Sequence, residues 1–222
     1  DTGMQSEVDG RVALESDLRD GLHGGEELTL RYQPVVGVDG KVIGAEALVR
    51  WLQPRRGLVM PDDFIPLAES TGLILPLGRW VMQEACEQLA VWAYRSETAH
   101  LTMAVNVSAR ELREPGFVQQ VLQTLKRTGA PPHRLRLELT ESVLAHRVED
   151  TIAKMHALKR HGIGFSLDDF GTGYSSLSYL KLLPLDLLKI DRSFVRDVLT
   201  DSNDAAIART IVALGQSLGL SV

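Results

Sequence analysis

The chain has a single cysteine, Cys86, so no internal disulfide can form, and a reducing compartment suits it. No apolar run reaches the roughly 18 residues that announce a membrane helix. No secretory signal pattern is present either. The expectation is a soluble, cytoplasmic domain, whose parent protein could still be membrane-anchored. Positive charge is also in short supply: 24 Lys and Arg face 29 Asp and Glu, a net charge of −5. That leaves no broad basic surface for a nucleic-acid polymer. The six histidines show no metal-ligand spacing, and there is no low-complexity segment or short repeat. Asn106-Val107-Ser108 has the form of a glycosylation acceptor, but without a secretory signal the match is accidental.

What is present fits one α/β domain. The 222 residues are 44% hydrophobic and 24% charged, enough for a sizeable core. Strand patterns fall at Leu28–Val36, Lys41–Trp51, Leu101–Val107, Arg134–Thr140, Gly164–Asp168 and Leu185–Ile190. Val38-Asp39-Gly40 is a turn, so the first two strands are expected to pair as an antiparallel hairpin. Helix patterns fall at Pro61–Ser70, Leu77–Arg95, Val118–Thr128, Val148–His161 and Ala205–Leu218, with a helical turn from Ser108. Strand followed by helix is the order of a (β/α) barrel. Arg11–Leu22 reads as a helix with Val12, Leu14, Leu18 and Leu22 near one stripe, so residues 1–24 are expected to form a linker and 25–222 the domain proper. Leu220–Val222 resembles the first residues of a further strand.

Alternate strand residues share a face. Glu46 falls with Leu48 and Arg50, Glu138 with Arg136, Asp168 with Ser166, and Lys189 with Leu187 and Asp191; Asn106 opposes Val105 and Val107. Five strands therefore carry a polar group near the carboxyl end of one face, the rim where barrel active sites form. Glu46, Asn106, Glu138 and Asp168 are hard oxygen donors suited to Mg²⁺ or Mn²⁺. Asp169 follows at once, and two ions roughly 3.5–4 Å apart can promote an in-line phosphoryl displacement. Lys189 would steady the developing charge. Taken singly, each position has a plainer explanation: a strand-end cap, a buried Lys189–Glu138 pair, a cap at Asp168-Asp169 before Gly171, or a Glu141 cap at Ser142. Recurrence on five strands favours the common site.

These residues resemble a known family. Gly44 to Trp51 (GAEALVRW) is similar to the signature of the EAL-domain cyclic-di-GMP phosphodiesterases. The same order continues with Tyr32 to Val36 (YQPVV), Asn106-Val107-Ser108, Glu138 to Ser142 (ELTES), Asp168 to Ser176 (DDFGTGYSS) and Lys189-Ile190-Asp191. The resemblance covers Leu28 to Val222. It implies a modified TIM (β/α)8-type barrel with an antiparallel first strand, and hydrolysis of cyclic di-GMP to linear pGpG with Mg²⁺ or Mn²⁺. By resemblance, Glu46, Asn106, Glu138 and Asp168 bind metal and Asp169 binds a second ion. Lys189 matches the lysine that contacts the water nucleophile, and Gln33, Leu48, Arg50 and Asp191 match substrate contacts. Glu141 matches the glutamate holding the loop after the fifth strand, Asp169 to Ser178, which the family ties to metal binding and to homodimers. A glutamate-bearing seventh strand and the last barrel elements of the family are not in this chain, so the domain is expected to be incomplete at its C-terminus. An upstream sensory or cyclase-like domain is expected in the parent chain. The competing expectation is a catalytically inactive cyclic-di-GMP receptor or interaction module.

Overall fold

The computed structural model describes residues 2–24, 26–145, 147–171 and 177–222, with side chains over 10–24, 26–143, 147–171 and 178–222. Helix α1 (Thr2–Gly24) leads into strands β1 (Leu28–Val36), β2 (Val42–Gln53) and β3 (Gly57–Val59). Helices α2 (Pro61–Thr71) and α3 (Ile74–Ala93) follow, then β4 (Thr102–Asn106), α4 (Ala109–Arg113) and α5 (Phe117–Thr128). Next come β5 (Leu135–Thr140), α6 (Val148–Lys159), β6 (Gly164–Phe170), α7 (Leu177–Leu180), β7 (Leu187–Ile190), α8 (Arg192–Arg196) and α9 (Ser202–Ser217). Short 3₁₀ turns at Pro132–Arg134 and Glu141–Ala145 flank β5.

The strands form one seven-stranded sheet in the order β1-β2-β4-β5-β6-β7, with β3 paired to β2. The β1–β2 hairpin is antiparallel and places Gln33 opposite Glu46. From β2 through β7 the main path is parallel. Ser221 begins a further parallel pairing: Leu188 donates to its carbonyl at 2.9 Å, and it donates to Asp186 at 3.0 Å. The core lies between sheet and helices. Met103, Val105, Leu135, Leu137, Phe165, Leu167 and Leu188 are all almost fully buried on one sheet face. They pack with Leu77, Ala85 and Leu89 of α3, Val121 and Leu125 of α5, and Met155 and Leu158 of α6. The opposite, inward positions mix polar residues with a few apolar ones such as Leu48, Ala104 and Leu187.

Helix α1 is anchored to the end of the β1–β2 hairpin. Leu18 is fully buried, and Asp17 accepts from Arg55 at 2.5 Å and Arg56 at 3.1 Å. Trp51 Nε1 donates to Glu27 at 2.9 Å just beyond. Val12 departs from the expected stripe and is exposed. Six residues before Leu18, it lies about 120° round the helix from it.

Several elements differ from the sequence pattern for local reasons. Strand β3 is only three residues long, too short for alternation to register, and its turn is set by Gly57 at φ 75°. Helix α3 starts at Ile74, before Pro76, because a first-turn residue has no intrahelical N–H bond for proline to remove. Helix α8 was not visible as a periodic stretch; its five residues are started by Asp191, whose carboxylate accepts from Ser193 N at 2.8 Å.

Candidate active site

The inward residues converge at the carboxyl ends of the parallel strands. Parallel pairing sets Glu46 of β2 beside Ala104, Asn106 of β4 beside Glu138 of β5, and Thr140 beside Asp168 of β6. Close approach of β2 and β4 depends on Gly44, where a Cβ would overlap Thr102 Oγ1 and lie 2.8 Å from its carbonyl oxygen.

Glu46, Glu138 and Asp168 bring carboxylate oxygens within 4.8 Å of one another. Lys189 of β7 holds them together. Its Nζ donates to Glu138 Oε2 and Asp168 Oδ2 at 2.7 Å each and to Glu46 Oε2 at 3.0 Å. Asn106 Nδ2 donates to Glu46 Oε1 at 2.7 Å. Ser166, fully buried on the same face of β6, donates to Glu138 Oε1 at 3.2 Å. The strand pattern put Ser166 on this face, yet nothing in the sequence marked it as a support for Glu138.

The electrostatics follow from that packing. Burial raises the Glu138 pKa above the ordinary carboxylate range, although Lys189 pulls the other way; Glu46 and Asp168 add repulsion. Burial disfavours the Lys189 ammonium, but attraction to Glu138 and the hydrogen bonds it donates to Asp168 and Glu138 outweigh it and hold its pKa above normal. The ammonium therefore stays charged at neutral pH.

Asp169 is re-aimed by the backbone. Consecutive strand residues should face opposite sides. Between Leu167 and Phe170 the β6–β7 register shifts, and Asp169 takes a left-handed φ of 53°. Such a bulge turns a side chain that would point away from the site. Asp169 lines the same cavity as Glu138 and Asn106 and shares a hydrogen bond with Asp191. Burial and the charges of Asp168 and Asp191 push its pKa up. Asp191 moves the other way, because the Ser193 hydroxyl and N–H stabilise its carboxylate.

Glu141 Oε1 accepts from Gly171 N at 2.9 Å and so ties the turn after β5 to the end of β6. Of the rest of the expected loop, residues 172–176, Gly173 among them, lie outside the described residues, and Leu177 and Ser178 begin α7.

The cavity beside the cluster has a volume of about 410 Å³. Leu48 and Arg50, which alternation puts on the same face of β2 as Glu46, line it. Its far wall was not foreseen: Pro61 and Ile65 of α2 and Ile74 and Leu77 of α3 give it an apolar side. No strand alternation could reveal a wall built by helices. Gln33 stays on β1 opposite Glu46 and is exposed, so it stands at the edge of the site.

The donor set fits a hard divalent ion. Three carboxylates converge within reach of one centre, and Asn106 keeps its carbonyl oxygen available while its amide nitrogen steadies Glu46.

A sequence model of the EAL domain matches residues 15–222. The chain is 44% identical over 223 residues to the bifunctional diguanylate cyclase/cyclic di-GMP phosphodiesterase MucR of Pseudomonas aeruginosa, covering 100% of this chain and 32% of that protein. It is 42% identical over 212 residues to the cyclic di-GMP phosphodiesterase PdeR of Escherichia coli, covering 94% of this chain and 31% of that protein. It thus spans about a third of the length of these curated relatives. Among solved structures, the PaMucR phosphodiesterase in complex with c-di-GMP matches with a TM-score of 0.88 and 45% identity, over 94% of this chain and 84% of that one. The EAL enzyme Bd1971 bound to cAMP and cyclic-di-GMP matches with a TM-score of 0.91 and 30% identity, over 99% of this chain and 60% of that one. Matched motifs, an antiparallel first hairpin on a parallel α/β sheet, and agreement over nearly the whole chain place it in the EAL domain family, with that family's TIM-barrel-like fold.

Proposed function

We propose that this chain is a metal-dependent phosphodiesterase that hydrolyses cyclic di-GMP to linear pGpG. One observation carries the reading: three carboxylates and an asparagine meet around one lysine at the carboxyl rim of the strands, beside a cavity with an arginine on its wall. Kinship with proteins named as cyclic di-GMP phosphodiesterases supports it.

In this reading Glu46, Asn106, Glu138 and Asp168 hold Mg²⁺ or Mn²⁺, and Asp169 reaches a second ion. Bound divalent ions supply Lewis-acid polarisation and charge neutralisation at the phosphodiester. The chain's own residues do the rest. Lys189 spends its three donors on the carboxylates, and ions taking over those oxygens would free it to steady the nucleophile and the charge growing on phosphorus-bound oxygen; being held protonated, it does not abstract a proton. Arg50 offers a fork to a phosphate, and Leu48 with the α2–α3 wall offers apolar contact to a base. Gln33 and Asp191 complete the substrate contacts. Glu141 holds the turn after β6, and so holds Asp169 in place.

The same reading divides the chain into a linker helix over 1–24 and the phosphodiesterase domain over 25–222. It also carries a homodimer through the loop after β6 and an upstream sensory or cyclase-like domain, the latter supported by the greater length of the relatives.

The test is Mg²⁺-dependent turnover of cyclic di-GMP, with pGpG quantified chromatographically, for the wild-type chain and Glu46→Gln. Loss of one ligand is expected to lower turnover at least 100-fold while nucleotide binding survives. Unchanged turnover in Glu46→Gln sinks the metal assignment. Binding without any turnover in the wild type replaces the enzyme with a receptor.

A further inference from the structure

A second cavity, of about 280 Å³, opens at the amino-terminal ends of the parallel strands, opposite the carboxylate rim. Thr102 at the start of β4, Arg136 on β5, Gly164 at the start of β6 and Asp186 just before β7 line it, with Arg134 and Lys159 alongside.

Its charges do not balance. Both oxygens of Asp186 are already engaged: Oδ1 accepts from the Lys159 ammonium and Oδ2 accepts from Phe165 N–H at 2.8 Å. That pair is neutral as a unit. Arg134 donates one N–H to the His100 carbonyl, an uncharged acceptor, and enters no ion pair among the described residues. Arg136 has no hydrogen bond or ion pair among the described residues, and its buried Nε is without a partner. Leaving a buried donor unmatched costs about 1–3 kcal/mol, and more when it is charged. A guanidinium cannot escape by losing its proton. Gly164 borders both groups: a Cβ there would lie 3.3 Å from Asp186 Oδ2 and 3.6 Å from Arg136 Nε.

Two guanidinium groups with no ion pair among the described residues thus face one polar cavity, whose lining carries more positive than negative charge. We propose that this amino-terminal cavity binds a phosphate-class oxyanion, either inorganic phosphate or the phosphomonoester of a nucleotide. The planar fork of arginine matches the several acceptors of a tetrahedral oxyanion. The volume stands at the lower limit of small-molecule pockets, roughly 300 Å³, which favours a small anion over a cyclic dinucleotide.

The two ends of the strands are separable in solution. Without divalent ions the carboxylate rim repels a free anion, so binding in metal-free buffer reports the amino-terminal cavity. Isotope-labelled chain is titrated with inorganic phosphate and, separately, with 5′-GMP at constant ionic strength, following the amide signals of Gly162 and Gly164. Saturable shifts at these glycines are expected, with affinity at least tenfold weaker in Arg136→Gln and unchanged in Lys41→Gln, an exposed turn residue. Arg136→Lys, which keeps the charge and removes the fork, gives the same weakening if the glutamine variant does not fold. Saturation by phosphate alone identifies the free ion, and saturation by 5′-GMP alone identifies the phosphomonoester. Shifts that merely follow ionic strength, absence of shifts, or full affinity in both arginine variants overturns the proposal.

Discussion

Single residues here are governed by what surrounds their charges. Glu111 of α4 shows this outside the cluster. Its carboxylate accepts from Ser108 N at 2.9 Å and Ser108 Oγ at 2.7 Å, closing a capping box. It packs so closely on Gly78 of α3 that a Cβ there would overlap it. Burial, only partly offset by the Ser108 hydrogen bonds, pushes its pKa up to about 7. The folded chain therefore keeps this proton up to about pH 7, while the unfolded chain releases it from about 4.5. Stability must fall as pH rises across that window, by about 2–3 kcal/mol from this group. Chemical denaturation at pH 5 and pH 8 is expected to show a smaller fall in Glu111→Gln than in the wild type; equal falls would refute the assignment. Lys189→Met is the complementary case. It leaves three carboxylates facing one another, and a loss of about 2–3 kcal/mol at pH 7 is expected, since the lysine is partly exposed and a fully buried pair would cost more. The loss should shrink at pH 4.5, where Glu138, whose pKa burial raises, takes up a proton, and calorimetry at the two pH values decides it. The sequence displayed Lys189 and its partners through strand alternation. It hid the support from Ser166 and the burial of Glu111, because both depend on neighbours distant along the chain.

At the scale of elements, register does the work. Strand boundaries, the antiparallel first hairpin and the main helices were legible because period-2 and period-3.6 patterns are strong in them. Strand β3 and helix α8 were not, since three and five residues hold too few repeats. The bulge in β6 was also invisible, as nothing in Asp168-Asp169-Phe170 declares a left-handed backbone at a residue other than glycine. Gly44 is the element-level test. Gly44→Ala would push β2 off β4 and carry Glu46 away from Asn106. A loss of about 2–3 kcal/mol, in the range of overpacked cores, is expected together with impaired turnover. Wild-type melting and kinetics in that variant would show that β2 can shift without cost.

For the whole molecule, the two ends of the strands carry opposite charge: carboxylates at one rim, guanidinium groups at the other. Among the described residues no helix is long and apolar enough to cross a membrane. The net charge of −5 hides this polarity, and only strand direction reveals it. Adding Mg²⁺ should raise the melting temperature of the wild type, since a ligand that binds only the folded state stabilises it by mass action. At a concentration 100 times the dissociation constant the gain is about 2.7 kcal/mol. Scanning calorimetry of Glu46→Gln is expected to show a much smaller rise, and an equal rise would place the ion elsewhere. Lys189 gives the site a further property. Three carboxylates and one ammonium sum to a charge of −2, which one divalent ion cancels completely. In the proposed two-ion reading, a second ion would find only the Asp169 carboxylate beside that balanced centre, which leaves one positive charge for an anion to neutralise. A phosphodiester carries that one negative charge, so under the proposed function the second position is expected to fill more readily when substrate is present.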